Sequence, residues 1–255
     1  MKIQLFRHAT AIIEFSGKRL LLDPVLGPAG ERPGFPTKRE GRGRRNPIVE
    51  LPFDEVELKG LLSSIDAILV THTHIDHFDD LKGQRLPLQL PVLCQPEDVA
   101  LMKKAGFVKI LPIQMQLDWE GIRITRTACY HGGAVFRRLL GPASGYVLQN
   151  GNDSLYIVGD SVWAPPVQQA IQRFQPKRLL LNGGGAQLPL GRTITMDAED
   201  ISQLCRATPD SKKIVVHMEA MNHCLLSRPA LKQRLQDDGL LNNVYIPADG
   251  ELVEV

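Results

Sequence analysis

The sequence predicts an α/β layered sandwich folded as one domain, and three observations carry that expectation. Short apolar runs of strand length recur along the chain, several of them ending on a His or an Asp. Helical patterns with their own start and stop residues alternate with these runs. A length of 255 residues, with 43% hydrophobic and 23% charged residues, suits one domain with a sizeable core and gives no sign of disorder.

Met1 to His8 reads as a first strand, without the basic region, long apolar core and small-residue cleavage site of a signal peptide. Ile12-Ile13-Glu14-Phe15 and Leu20-Leu21-Leu22 flank Ser16-Gly17-Lys18-Arg19, a hairpin turn, and Asp23-Pro24 stops the second strand. From about Gly27 to Pro52 Gly and Pro recur, and Arg32, Lys38, Arg39, Arg42, Arg44 and Arg45 concentrate positive charge. That stretch has no apolar periodicity and reads as a long loop, of a kind usually functional or disordered.

Ile65 to Val70 has the pattern of a buried strand ending at Thr71-His72, and Pro91 to Cys94 is a second one. A helix follows at Glu97 to Ala105, stopped by Gly106. Gly121 to Thr127 alternates as a half-buried strand leading to His131. Gly145 to Gln149 and Leu155 to Val158, the latter ending at Asp160, precede a helix near Val167 to Phe174. Arg178 to Leu181 is another strand, with Gly183-Gly184-Gly185 at its exit. A helix is expected in Asp197 to Arg206 with Thr195 or Asp197 near its N-cap, then a strand from Lys213 ending at His217. Ser227 caps a last helix, Arg228 to Gln236. β-rich segments with appended helices fill both halves, so residues 1–255 read as a single domain with pseudo-duplicated halves and a boundary near residue 128.

The formal net charge of +2 argues against a dedicated nucleic-acid binder. No apolar run approaches the roughly 18 residues of a membrane span. Cys94, Cys129, Cys205 and Cys224 are widely spaced, with neither a zinc-ribbon nor a disulfide pattern, and a cytoplasmic setting is expected.

The string Thr71-His72-Thr73-His74-Ile75-Asp76-His77-Phe78-Asp79-Asp80 places four potential ligands within six positions, just past a buried strand. Two residues apart at a strand end, His72 and His74 can point the same way, and Asp76 and His77 can then face a second metal a few Å off. Three clustered imidazoles would gain little from proximity without a metal.

HxHxDH resembles the signature of the metallo-β-lactamase superfamily, whose remaining motifs have counterparts in order along the whole chain. Asp23 matches the Asp that ends an early strand and usually supports the ligand loop. His131, in Tyr130-His131-Gly132-Gly133, matches the mid-chain His, and Asp160, in Gly159-Asp160-Ser161, the metal-bridging Asp. The last ligand is a His ending a late strand. His217 stands there and is preferred, with His223 as its rival, and His223 can instead orient a ligand or line the pocket. His8 could do likewise, but a lone His near a first strand is more often structural. The DP strand end, the HFDD run and the compact length look most like the L-ascorbate-6-phosphate lactonase-like (UlaG-like) branch.

The resemblance implies a four-layer αββα sandwich and two divalent metals, zinc first, then manganese or iron. His72, His74 and His131 would hold one, Asp76, His77 and His217 the other, with Asp160 between. Such a pair lowers the pKa of a shared water and polarises the attacked bond. Asp76 and His217 are the expected catalytic residues, Asp76 as a proton acceptor if only one metal is bound. The implied activity is hydrolysis of a small ester, lactone or phosphodiester, with the basic loop favouring an anion. A nuclease and a non-catalytic metal-binding module are the alternatives. An iron redox protein would bring a flavin or rubredoxin module for which the chain has no room. Homo-oligomer formation is left open.

Overall fold

In the computed structural model, which describes residues 1–38, 41–79, 85–133 and 138–255, strands from the two ends of the chain share one sheet. Arg39 of the basic loop and Asp80 of the ligand string lie outside the described residues. The first sheet holds β1 (Lys2–Arg7), β2 (Thr10–Phe15), β3 (Lys18–Leu22), β4 (Ala67–Val70), β5 (Val92–Cys94) and β6 (Ile110–Pro112), with β14 (Leu252–Glu254) beside β1. The second holds β7 (Gln116–Trp119), β8 (Ile122–Ala128), β9 (Ser144–Asn150), β10 (Asp153–Ile157), β11 (Arg178–Asn182), β12 (Lys212–Val216) and β13 (Val244–Tyr245).

Alternation along each strand creates the layers. Ile13, Leu20, Leu22, Ala67 and Leu69 of the first sheet meet Ile124, Leu148, Leu155, Ile157, Leu180 and Ile214 of the second in one buried cluster. Their neighbours face outward. Ile12, Leu21, Ile68 and Val70 pack under α1 (Glu55–Ser63) and α2 (Val99–Ala105). Tyr156, Val158, Leu179, Leu181 and Val215 pack under α3 (Pro165–Phe174), α4 (Ala198–Ala207) and α5 (Arg228–Asp237). The result is the αββα sandwich. Runs such as Ala67–Val70 are apolar throughout because both faces of the strand are covered.

Most expected elements form within a few residues of their predicted bounds. The hairpin turn is tighter than expected: only Ser16 and Gly17 form it, both at positive φ, and Lys18 and Arg19 already pair with Phe15 and Glu14. Asp197, rather than Thr195, caps α4, accepting from the N–H groups of Glu199 and Asp200. Helix α1 was not anticipated although its sequence carries a capping box, in which Asp54 accepts from the Glu57 N–H and Glu57 from the Asp54 N–H. It buries no residue completely, so it lacks the apolar stripe that periodicity detects.

The basic stretch is a loop, and it is pinned. The Asn222 side chain donates to the Phe35 and Gly41 carbonyls and accepts from the Phe35 N–H and the Asn46 amide. Asp79 accepts from the Leu26 and Gly27 N–H groups. Arg7, fully buried, donates to the carbonyls of Val25, Gly27 and Val49.

Candidate metal centre

Strands β1, β3, β4, β8, β10 and β12 all end at the same edge of the sandwich, and a polar residue follows or closes each. His8 follows β1, Asp23 follows β3, and His72, His74, Asp76 and His77 follow β4. His131 lies just past β8, Asp160 past β10, and His217 directly past β12. The chain has seven histidines, and every one is at this place.

His72, His74 and His131 bring one ring nitrogen each within 4.8 Å of one another, and so do the donor atoms of His8, Asp76, His77 and His217. Asp160 lies between the two groups. Its Oδ2 is 3.2 Å from His77 Nε2, 3.3 Å from His131 Nε2 and 3.9 Å from His72 Nε2, while Oδ1 is 3.4 Å from His217 Nε2. The structure thus brings together all seven sequence-predicted ligands. His217 is within the second group, 3.1 Å from His77 Nε2, whereas His223 is in neither group and meets Asp76, Nε2 to Oδ2 3.4 Å, with its ring edge-on to Phe35 of the basic loop.

Supporting groups orient these side chains. Asp23 accepts from the Thr71 N–H and hydroxyl and lies 2.8 Å from His77 Nδ1. Asn182, at the end of β11, donates to Asp160 Oδ1. His74 Nε2 is 2.7 Å from the Leu140 carbonyl, and Cys224 Sγ is 3.5 Å from His217 Nδ1. Such outer partners fix which ring nitrogen is free for a metal. The backbone is strained here: His8, Asp23 and His217 have φ of 61°, 41° and 65°.

Burial disfavours charge on the imidazoles. It pushes His8, His72 and His217 below the ordinary histidine value, and His131 and His223 down to about 4. Burial opposes the charge of His77 as well, but the Asp160 and Asp23 carboxylates outweigh it and raise His77 well above that value. Burial also resists ionisation of Asp76 and Asp160, yet the surrounding imidazoles hold both well below the usual carboxylate range. His77 apart, these neutral imidazoles beside ionised carboxylates are the donor set a divalent metal needs, and a metal binding at His77 must displace its proton.

The fit has a direct structural sign. Among the described residues, both ring nitrogens of His131 and of His8, and Nδ1 of His223, are buried without a hydrogen-bond partner. His131 Nε2 is near Asp160 but lacks the alignment of a hydrogen bond. Each such orphan costs about 1–3 kcal/mol unless something completes it. A divalent cation coordinated by the facing nitrogen would do so.

Sequence reasoning set His8 aside, and the structure places it in the second group. Asn182, Thr71 and Asn222 were also missed, since a neutral polar residue at a strand end or in a loop has no distinctive spacing. The Gly183–Gly185 turn makes a tight strand exit. The Gly183 and Gly185 N–H groups donate to the Val216 and Met196 carbonyls, and a Cβ on Gly184 would stand 2.0 Å from the His217 carbonyl oxygen.

A family model described as the beta-lactamase superfamily domain matches residues 18–218. The UPF0173 protein YddR of Bacillus subtilis (strain 168) is 37% identical over 256 residues, covering 98% of each chain. Among solved structures, a possible metal-dependent hydrolase from Veillonella parvula DSM 2008 superposes with a TM-score of 0.94 at 31% identity, covering 100% of this chain and 99% of that one. Isothiocyanate hydrolase from Delia radicum gut bacteria gives 0.92 at 34% identity over the same shares.

Proposed function

The chain belongs to the beta-lactamase superfamily and, within it, to the UPF0173 metal-dependent hydrolases, and from that premise we propose a two-metal enzyme that hydrolyses a small substrate at an electrophilic carbon. The observation that carries it is the convergence of seven histidines and two ionised aspartates on one buried spot at the strand ends. His72, His74 and His131 would hold one cation, Asp76, His77 and His217 the other, and Asp160 both. This set of imidazoles and carboxylates without a thiolate suits zinc, manganese or iron, and zinc is put first, manganese second. When bound, the metals supply a water of lowered pKa and a Lewis acid for the attacked group.

The residues of the chain do the rest. Asp23 and Asn182 hold His77 and Asp160 in orientation. With only one metal bound, Asp76, ionised and within 3.8 Å of three histidines, would be placed to accept a proton from water, with His217 beside it. The two sheets keep the site away from bulk water, leaving His72, His77, His131, Asp160 and His217 buried.

For the bond opened, similarity along the full chain to an isothiocyanate hydrolase favours a carbon electrophile such as an isothiocyanate, ester or lactone, a sugar-phosphate lactone included. Arg42, Arg44 and Arg45 line a cavity of about 430 Å³ with Phe35 and Asn222, and that cavity is suited to an anionic part of the substrate. The unpaired state of all four cysteines fits a reducing, cytoplasmic setting. Among the described residues no helix is long and apolar enough to cross a membrane.

The test is a panel containing an aryl isothiocyanate, an aryl ester, a lactone, a phosphodiester and an RNA oligonucleotide, run on zinc-loaded, manganese-loaded and chelator-stripped protein. Metal-dependent turnover of a carbon electrophile is expected. Turnover of the phosphodiester or RNA alone would move the assignment to a nuclease, and no turnover by fully loaded protein would favour a non-catalytic metal-binding module.

A further inference from the structure

Resting on the two-metal reading, we infer that His8 is itself a metal ligand, joining Asp76, His77 and His217, with the shared Asp160, at the second metal position. Nothing in the HxHxDH spacing points to it, because it arrives from the first hairpin of the chain.

Four observations converge. His8 is 0% exposed, and among the described residues neither of its ring nitrogens has a hydrogen-bond partner. Its Nε2 is 3.5 Å from Asp76 Oδ2, and one donor atom from each of His8, Asp76, His77 and His217 falls within 4.8 Å of the others. Its backbone is held in the left-handed region at φ 61°, just after the register shift between β1 and β2, a conformation costly for a non-glycine residue. Finally, it is tied to a neighbouring ligand candidate: the His217 N–H donates to the His8 carbonyl at 2.8 Å, and the two rings lie 3.7 Å apart between centroids.

The hairpin is built to keep this aim. Thr10, two residues on, donates its hydroxyl to the Asp23 carbonyl at 2.7 Å and accepts from the Val25 N–H at 2.9 Å. Through these bonds the turn carrying His8 and the strand end carrying Asp23 move together. A histidine buried only to fill space would serve this position poorly. Phe or Leu would pack against His217 with no polar atom to satisfy, whereas an imidazole leaves two orphans. Coordination gives one of those nitrogens a partner. With Asp160 shared between the metals, three imidazoles and two carboxylates are also a ligand set zinc and manganese both accept.

The experiment compares wild type with His8→Phe, which keeps the ring volume, His8→Asn, which keeps a polar atom, and His223→Phe. Metals per chain are measured after dialysis against graded chelator, together with the visible spectrum of the cobalt-substituted proteins. Loss of a supporting hydrogen bond to a ligand typically weakens a metal roughly 10–100-fold, so loss of a ligand should weaken the second metal by at least about 100-fold. Both His8 variants should then retain the first metal, lose the second and change the cobalt spectrum, while His223→Phe keeps both metals.

Two metals held with unchanged affinity and spectrum in both His8 variants would overturn the inference while leaving the metal centre standing. So would loss of the second metal in His223→Phe alone. A wild type without metal would sink the centre and His8 with it. Should the His8 variants fail to fold, the cobalt-loaded wild type answers the question. Hyperfine-shifted ring resonances from His8, like those of the other ligands, support it, and a His8 ring at diamagnetic positions overturns it.

Discussion

The Asp23 carboxylate lies 2.8 Å from His77 Nδ1 while its two oxygens accept from the Thr71 N–H and hydroxyl. One residue at the end of β3 thereby fixes both the start of the ligand loop and its last imidazole. With Nδ1 engaged by Asp23, Nε2 of His77 faces Asp160 and His217, 3.2 and 3.1 Å away. An ion pair that is buried on both sides and has only one of these ring nitrogens free serves orientation more than stability.

Asp23→Asn should therefore weaken metal binding about 10–100-fold without removing any ligand. Equilibrium dialysis against a chelator measures it, and an affinity equal to wild type would show that the Asp23 contact is dispensable.

Asn222 should act on the loop rather than on the metals. Asn222→Ala leaves the Phe35 N–H and the Phe35 and Gly41 carbonyls without their partner, a loss of about 3 kcal/mol. Faster proteolysis within residues 33–45 and a lower Tm are expected, with metal content unchanged. An unaltered digestion pattern would mean that the loop is held by other contacts.

Gly184→Ala tests the close approach at the strand exit. A Cβ there would meet the His217 carbonyl oxygen at 2.0 Å, so that backbone must shift. The variant should lose about 1–3 kcal/mol of stability and release the second metal more easily than the first. Equal retention of both metals would show that His217 tolerates the shift.

The metal-free protein should have a stability maximum near pH 6.5. Histidines titrate near 6.5 when unfolded, but His131 and His223 do so at about 4 in the fold. Between those values the unfolded chain binds protons that the folded chain refuses, so stability falls as the pH drops. His77 works the other way. Its raised value contributes fully below pH 6.5, and that contribution is lost as pH rises through the folded value. Thermal unfolding of chelator-treated protein from pH 4 to 9 measures this, and His131→Asn should flatten the acid limb. A Tm that rises from pH 6.5 down to 4 would contradict it.

The arginines predict selectivity. Arg45 braces its own loop, donating to the Gly30 and Glu31 carbonyls, whereas among the described residues Arg42 gives only Nε to the Thr37 carbonyl. Replacing Arg42 and Arg44 with Ser should raise KM severalfold for an anionic substrate and barely alter it for a neutral one. Equal effects on both would assign these arginines to the loop surface.

Sequence carried the layers because covered strands are apolar on both faces, as in Leu20-Leu21-Leu22 and Ala67–Val70. It carried the HxHxDH cluster because four ligands in six positions have few other uses. His8 escaped because its partners Asp76 and His217 lie 68 and 209 positions further along the chain, and only the pairing of β1 with β2 and the sheet-to-sheet contact bring them together. The outer strands β6, β7, β13 and β14 escaped for a simpler reason. They are short and largely half-buried or exposed, so neither alternation nor a long apolar run marks them.

The central claim is that the strand-end cluster holds two metals, and elemental analysis tests it most directly. Wild type, His72→Ala and His217→Ala are purified without added metal, then reloaded with zinc or manganese and dialysed. About two metals per chain in wild type, with a loss in each variant, is the predicted result. A wild type that holds no metal after reloading would contradict the account.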